Sequence, residues 1–96
     1  MDNLKNQLTL QKVENKSEAA IRLYNTIQQR LVAEEVDLVY FLESARRFPM
    51  GSLEEIDQNT RANQLRQMII GDTYLLEIIA KKIQYYQIVE NPVPKA

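Results

Sequence analysis

The chain has 96 residues, and its 12 basic and 13 acidic side chains leave a formal net charge of −1 at pH 7. It contains no Cys, His or Trp. The absence of Cys and His removes disulfides, the usual zinc ligands and the most common general base. Its length predicts one domain of modest stability. We therefore expect a non-catalytic protein with no cofactor and no bound metal.

The first part of the chain has the spacing of a long amphipathic helix. Between Met1 and Phe48 there is neither Gly nor Pro, and steps of three and four residues from Leu10 to Phe48 meet mostly apolar side chains. Asn15 is a candidate N-cap, with Glu18 three residues later. The pattern predicts a long helix over 16–48 and a weak, separate helix over 3–14.

A turn over 48–52 reverses the chain. Pro49 cannot continue the preceding helix and disfavours helical geometry at Phe48. Gly51 supplies backbone freedom. Ser52 and Glu55 have the spacing of a capping box, which predicts that a second helix begins directly after the turn.

The second helix is expected over 53–89, and the prolines in 91–96 end it and leave a mobile tail. A break at residues 71–72 is the open question. Gly71 either ends one helix before a fourth begins, or it lies within a continuous helix, which we favour. The sequence thus predicts an all-α antiparallel hairpin of two long arms, with three or four helices, that completes a four-helix-type bundle by dimerisation.

Glu34 is an acidic side chain on the apolar stripe of the first arm. A hairpin that turns near residue 50 places it opposite the region of Arg61 and Arg66. We therefore expect a structural cross-arm ion pair of Glu34 with one of these arginines, a contact that specifies geometry more than it adds stability.

Two short acidic clusters, 34–37 and 54–57, form the only enzyme-like pattern. Paired clusters of this kind on helices resemble the magnesium sites of all-helical nucleotide pyrophosphohydrolases of the MazG type, which implies a magnesium-dependent enzyme as one alternative. The acids at 54–57 also suit the first turn of a helix. Because the turn places the two clusters out of register, we interpret them as solvated surface.

Other classes of partner leave no clear signal. The basic residues do not line up in one stripe with aromatic side chains, so we expect no nucleic-acid partner. No apolar run is long enough to span a membrane, and the first residues lack the pattern of a secretory signal. We expect a cytoplasmic protein.

Tyr86 and Glu90, four residues apart near the end of the second arm, carry a family resemblance. Together with two helical arms and a glycine-containing turn in a chain of this length, they resemble the WXG100 proteins exported by type VII secretion. That resemblance implies an exported helical hairpin. The turn departs from the family because it lacks the Trp and the Trp-x-Gly spacing.

Both arms carry more apolar surface than one partner helix covers, and soluble monomers seldom expose so much. We expect a homodimer, another protein partner, or both. The expected function is that of a helical interaction protein: an adaptor, an assembly or secretion chaperone, or a small regulator or inhibitor. A four-helix immunity protein against a bacterial toxin is an alternative. The candidate partner-binding side chains are aromatic: Phe41, Phe48, Tyr74 and Tyr86.

Overall fold

The computed structural model describes residues 14–90, which form two α-helices joined by a short turn. Helix α1 is Lys16–Ala45, with 30 residues, and helix α2 is Leu53–Glu90, with 38 residues. The two helices pack against each other along their length as an antiparallel hairpin. Within residues 14–90 there is no strand, and the predicted all-α hairpin is confirmed.

Helix α1 begins where the sequence placed its N-cap. The side chain of Asn15 accepts a hydrogen bond from the backbone N–H of Glu18 at 2.9 Å, which satisfies one of the four unpaired donors of a helix start. The predicted helix over 3–14 lies outside the described residues except for Glu14, which is not helical. The predicted tail over 91–96 also lies outside them.

Helix α1 ends at Ala45, three residues before the predicted boundary. The backbone N–H of Phe48 donates to the carbonyl of Ala45 at 3.2 Å, so the last turn tightens from the α-helical to the three-residue pattern. Pro49 accounts for this ending because its ring disfavours helical geometry at the preceding residue. Gly51 then takes a φ of +83°, a left-handed conformation that favours glycine.

The predicted cap of α2 forms with one change of partner. The hydroxyl of Ser52 accepts from the backbone N–H of Glu55 at 3.2 Å. The carboxylate of Glu55 reaches back to the N–H of Gly51 at 3.0 Å, because the N–H of Ser52 already donates to the carbonyl of Pro49. The turn is therefore closed by local hydrogen bonds on both sides.

Helix α2 runs through Gly71 without a break. The predicted number of three or four helices is not confirmed, since residues 14–90 contain two and the remaining candidate lies outside the described part. The core between the helices is narrow: Ile27, Leu76 and Ile79 are buried there. Partly buried apolar side chains surround them: Ala20, Tyr24, Leu31, Leu75 and Ile83.

Substitution by alanine is expected to change the stability of the protein in opposite directions at its two glycines. A methyl group at Gly71 meets no atom within 4 Å, so Gly71→Ala should stabilise the protein by about 0.5–1 kcal/mol through helix propensity. Gly51→Ala should destabilise it by about 1 kcal/mol, because φ is positive there. Urea unfolding followed by circular dichroism measures both. Loss of stability in Gly71→Ala would contradict a continuous α2.

Candidate functional site

A charge cluster lies in the middle of the hairpin, where α1 and α2 face each other. Arg30 of α1 donates from Nε and Nη2 to the two carboxylate oxygens of Asp72 of α2, at 2.9 and 2.6 Å. This two-point contact is the strong form of an arginine–carboxylate pair. Asp72 is only 8% exposed, whereas about half of the Arg30 side chain stays in solvent. The pair links the helices from the edge of their interface.

Glu34 lies beside this pair and is more deeply buried. The residue is 4% exposed, and neither of its carboxyl oxygens contacts a hydrogen-bond donor. Because Glu34 follows Arg30 by one helical turn, its carboxyl lies next to the Asp72 carboxyl that Arg30 holds. Two buried carboxyl groups therefore meet across the interface, with one guanidinium to balance them.

The surroundings shift the pKa values of the two acids in opposite directions. Burial is the main cause that raises the pKa of Glu34, and hydrogen bonding to Asp72 and repulsion from its charge add to it. The hydrogen bond from Arg30 is the main cause that holds the pKa of Asp72 below its ordinary value. Arg30 also attracts the ionised form of Glu34, but it does not outweigh burial.

The cross-arm pair differs from the one that the sequence predicted. Arg61 bonds Asp57 at 3.2 Å, and Arg66 bonds Asn63 at 3.1 Å, both within α2. Helical side chains lean toward the N-terminus of their own helix. Arg61 and Arg66 therefore lean toward the turn, whereas Glu34 leans toward the open end of the hairpin and meets Asp72.

A second link between the helices closes the open end. The carboxylate of Glu90, the last residue of α2, accepts from the backbone N–H groups of Lys16 and Ser17 at 2.9 and 3.1 Å. Negative charge is favourable at a helix N-terminus. Hydrogen bonding to the Ser17 hydroxyl, and then to these N–H groups, holds the pKa of Glu90 below its ordinary value. The end of α2 thus caps the start of α1.

Three valines of α1 form an exposed row, the valine row. Val32, Val36 and Val39 are spaced by four and three residues, so they share one side of the helix. They are 60%, 62% and 54% exposed, and with Glu35 they line a shallow depression. The stripe that packs on α2 lies on another side of α1, so nothing within residues 14–90 covers the valine row.

Helix α2 carries a comparable exposed row, the α2 row. Ile70, Tyr74 and Ile78 follow each other at intervals of four residues, one helical turn apart. All three are exposed, and Tyr74 is the most open at 65%. Like the valine row, this surface lies outside the packed core of the hairpin.

The turn presents a third apolar surface, the turn cluster. Phe48, Met50, Leu53 and Ile56 are all exposed, and Met50 and Leu53 almost completely so. An open groove of about 380 Å³ lies beside them. Its lining combines apolar side chains with polar ones: Leu42, Ala45, Arg46, Phe48, Met50, Glu55 and Asn59.

The four aromatic residues predicted as partner-binding divide into two pairs. Tyr74 and Phe48 are exposed and belong to the α2 row and the turn cluster. Phe41 and Tyr86 are half-buried. The Phe41 ring packs edge-on against Tyr40, with the guanidinium of Arg61 5.9 Å from its centre. Half-buried rings of this kind contribute to the packing of the hairpin and leave little free surface for a partner.

The two acidic clusters do not come together. Glu34 of α1 faces the middle of α2, near Asp72. The second cluster, 54–57, is the first turn of α2, next to the turn of the hairpin. Within residues 14–90 no three acidic side chains are placed to hold a metal ion. In the same part of the chain, neither helix is both long and apolar enough to cross a membrane.

Comparisons with known proteins give no family for this chain: no family model matches it, and no curated protein or solved structure shows significant similarity. The resemblances to WXG100 proteins and to MazG-type enzymes therefore stay predictions from short patterns, as does the immunity-type alternative.

Two contacts of the charge cluster were not predicted from the sequence: the pair of Arg30 with Asp72, and the approach of Glu34 to Asp72. Arg30 lies outside the apolar stripe of α1, so its spacing gave no reason to pair it with Asp72. Glu34 and Asp72 did carry a signal, because each is an acid on the core-facing stripe of its helix. Two such acids on facing stripes predict a charge cluster, but the partner cation depends on the register of the hairpin.

Loss of the cross-helix arginine should weaken the hairpin. Arg30→Gln leaves the nearly buried Asp72 beside Glu34 without its main donor, so we expect the unfolding equilibrium constant at pH 7 to rise about five- to tenfold. The matched control is Arg66→Gln, which removes an exposed hydrogen bond to Asn63 within α2 and should change stability by less than about 0.5 kcal/mol. Urea unfolding compares the two. Equal effects would contradict the role of the cluster.

Proposed function

We propose that this chain is a non-catalytic helical interaction protein that acts by packing its exposed apolar surfaces against another helical chain. An adaptor, an assembly or secretion chaperone and a small regulator all work in this way. The observation that supports the proposal most is the imbalance between covered and uncovered apolar side chains. Within residues 14–90, five hydrophobic residues are buried, whereas the valine row, the α2 row and the turn cluster all lie open.

The layer structure of the hairpin explains this imbalance. A folded domain normally has at least two packed layers, so that each helix buries one broad face. Two helices side by side make a single layer, and each can cover only a narrow stripe of the other. None of the larger side chains within residues 14–90 is fully enclosed. A core this thin rarely supports a stable monomer.

A second copy of the chain is the occupant that we propose for the open surfaces. Two hairpins that stack on each other form a four-helix bundle, the standard two-layer arrangement for helices of this length. The net charge of −1 gives little repulsion between copies. The valine row itself carries no charge; neutral amides and two acids, Glu35 and Glu43, flank it, so self-contact there buries apolar side chains and leaves these acids at its margin.

The three surfaces differ in what they contribute to binding. The rows on α1 and α2 are flat and elongated, and they suit helix-to-helix packing in a bundle. The turn cluster is more compact, and the aromatic ring of Phe48 beside an open groove is the kind of anchor found at interface centres. We therefore assign self-association to the rows, and leave the turn cluster for a further protein partner.

A charge placed in the valine row tests this proposal. Val36→Glu puts a carboxylate on a surface that self-association would bury, so the dimer should dissociate at least about tenfold more readily. Val36 is 62% exposed and lies outside the packed core, so the hairpin itself should keep its helical content. Sedimentation equilibrium over a wide range of concentration measures the effect.

Gln84→Glu is the matched control, because it adds the same charge at an exposed position of α2 that lies about 120° around the helix axis from Ile78 of the α2 row. It should leave the dimer unchanged. A wild-type chain that stays monomeric at every concentration would reject self-association. A Val36→Glu variant that dimerises as tightly as the wild type would reject the valine row as the interface.

A further inference from the structure

The cluster in the middle of the hairpin holds one acid too many for its single cation. Both hydrogen bonds that Arg30 makes to this site go to Asp72. Glu34 is left with two buried oxygens and no donor from either helix. A buried ionised carboxylate without a donor is strongly unfavourable.

A proton on Glu34 resolves this arrangement. When it is protonated, the carboxyl becomes a donor, and the oxygens of Asp72 are the acceptors within reach. The cluster then consists of one cation, one anion and one neutral acid, and its charges balance. When it is ionised, two carboxylates repel each other across the interface between α1 and α2.

We propose that Glu34 carries a proton in the closed hairpin and donates a hydrogen bond through it to Asp72, so that the pair forms a pH-sensitive lock between the two helices. The lock holds in mildly acidic solution and weakens as the pH rises. The charged groups that face Glu34 are Asp72 from α2 and Arg30 from the preceding turn of α1. This proposal concerns the single chain and does not depend on self-association.

The shifted pKa values have the signs that the lock requires. Burial raises the pKa of Glu34 above its ordinary value of 4.5, so the folded state keeps a proton that the unfolded state releases. Stability from Glu34 is therefore complete below pH 4.5 and is lost as the pH rises through the raised pKa of the folded state.

Two other acids set the lower limit of the stable range. Asp72 and Glu90 have pKa values below their ordinary values of 3.8 and 4.5. Their contribution is present above those ordinary values and is lost as the pH falls through the lowered pKa values of the folded state. The hairpin should therefore be most stable in mildly acidic solution, near the ordinary pKa of Glu34.

Opening the lock would act on the core of the hairpin. The core residues Ile27, Leu76 and Ile79 lie toward the open end from the cluster. The turn and the Glu90 cap hold the two ends of the hairpin by separate contacts. Loss of the proton thus weakens the middle of the helix pair first. This gives the fold a means of exposing its apolar interface in response to pH.

Urea unfolding of the full chain from about pH 4.5 to about pH 8, at one protein concentration, tests the lock. The wild-type unfolding constant should rise with pH, by up to about tenfold per pH unit for one proton. Glu34→Gln keeps the shape and donates an N–H without titrating, so this rise should disappear. Asp37→Asn removes an exposed acid of α1 that lies outside the valine row; it is the matched control and should keep the wild-type dependence.

Wild-type stability that is constant or increases over this range would overturn the proposal, as would a Glu34→Gln variant that keeps the wild-type dependence. A second measurement needs no variant of the cluster: a carbon-detected NMR titration of the wild-type glutamate carboxyls. The Glu34 carboxyl should titrate above its ordinary value of 4.5. A Glu34 midpoint at or below 4.5 would also overturn the proposal.

Discussion

A single layer of two helices can bury only one narrow stripe of each, and the rest of this structure depends on that constraint. The buried stripe holds a few aliphatic side chains, so both ends of the hairpin need polar links. Asn15 and Glu90 close the open end, and the Ser52 cap closes the turn. Everything apolar that falls outside the stripe stays on the surface, which is why the valine row and the α2 row exist.

Because the interface is narrow, the charges of its buried acids have a large effect on how the two helices pack. In a broad core, one ion pair among many apolar contacts has little effect on which helix faces which. Here Glu34 and Asp72 lie at the middle of the interface between α1 and α2, where an unbalanced charge opposes the packing of both helices directly. Arg30 balances one acid from the solvent edge, and a proton is the simplest balance for the other.

The sequence predicted the local features well and the long-range contacts poorly. The Asn15 cap and the Ser52 cap depend on residues three positions apart, and the positive φ of Gly51 depends on its own backbone, so their signals lie within a few residues. The Arg30–Asp72 pair joins residues 42 positions apart. It depends on the register that the turn imposes and on the direction in which helical side chains lean. Neither the register nor this direction is visible in the spacing of residues alone. Glu34 was therefore predicted to pair with Arg61 or Arg66, whereas it lies beside Arg30 and Asp72.

Self-association through the valine row is the central claim, and an interchain distance tests it most directly. The chain has no Cys, so Asp37→Cys, at an exposed position next to Val36 but on another side of α1, provides a single spin-label site near the row. Pulsed electron paramagnetic resonance should detect a dipolar coupling that corresponds to a short distance between the labels of two chains. The coupling should disappear when unlabelled chain is added in excess. A labelled chain with no dipolar coupling at concentrations high enough for any specific dimer would contradict the account.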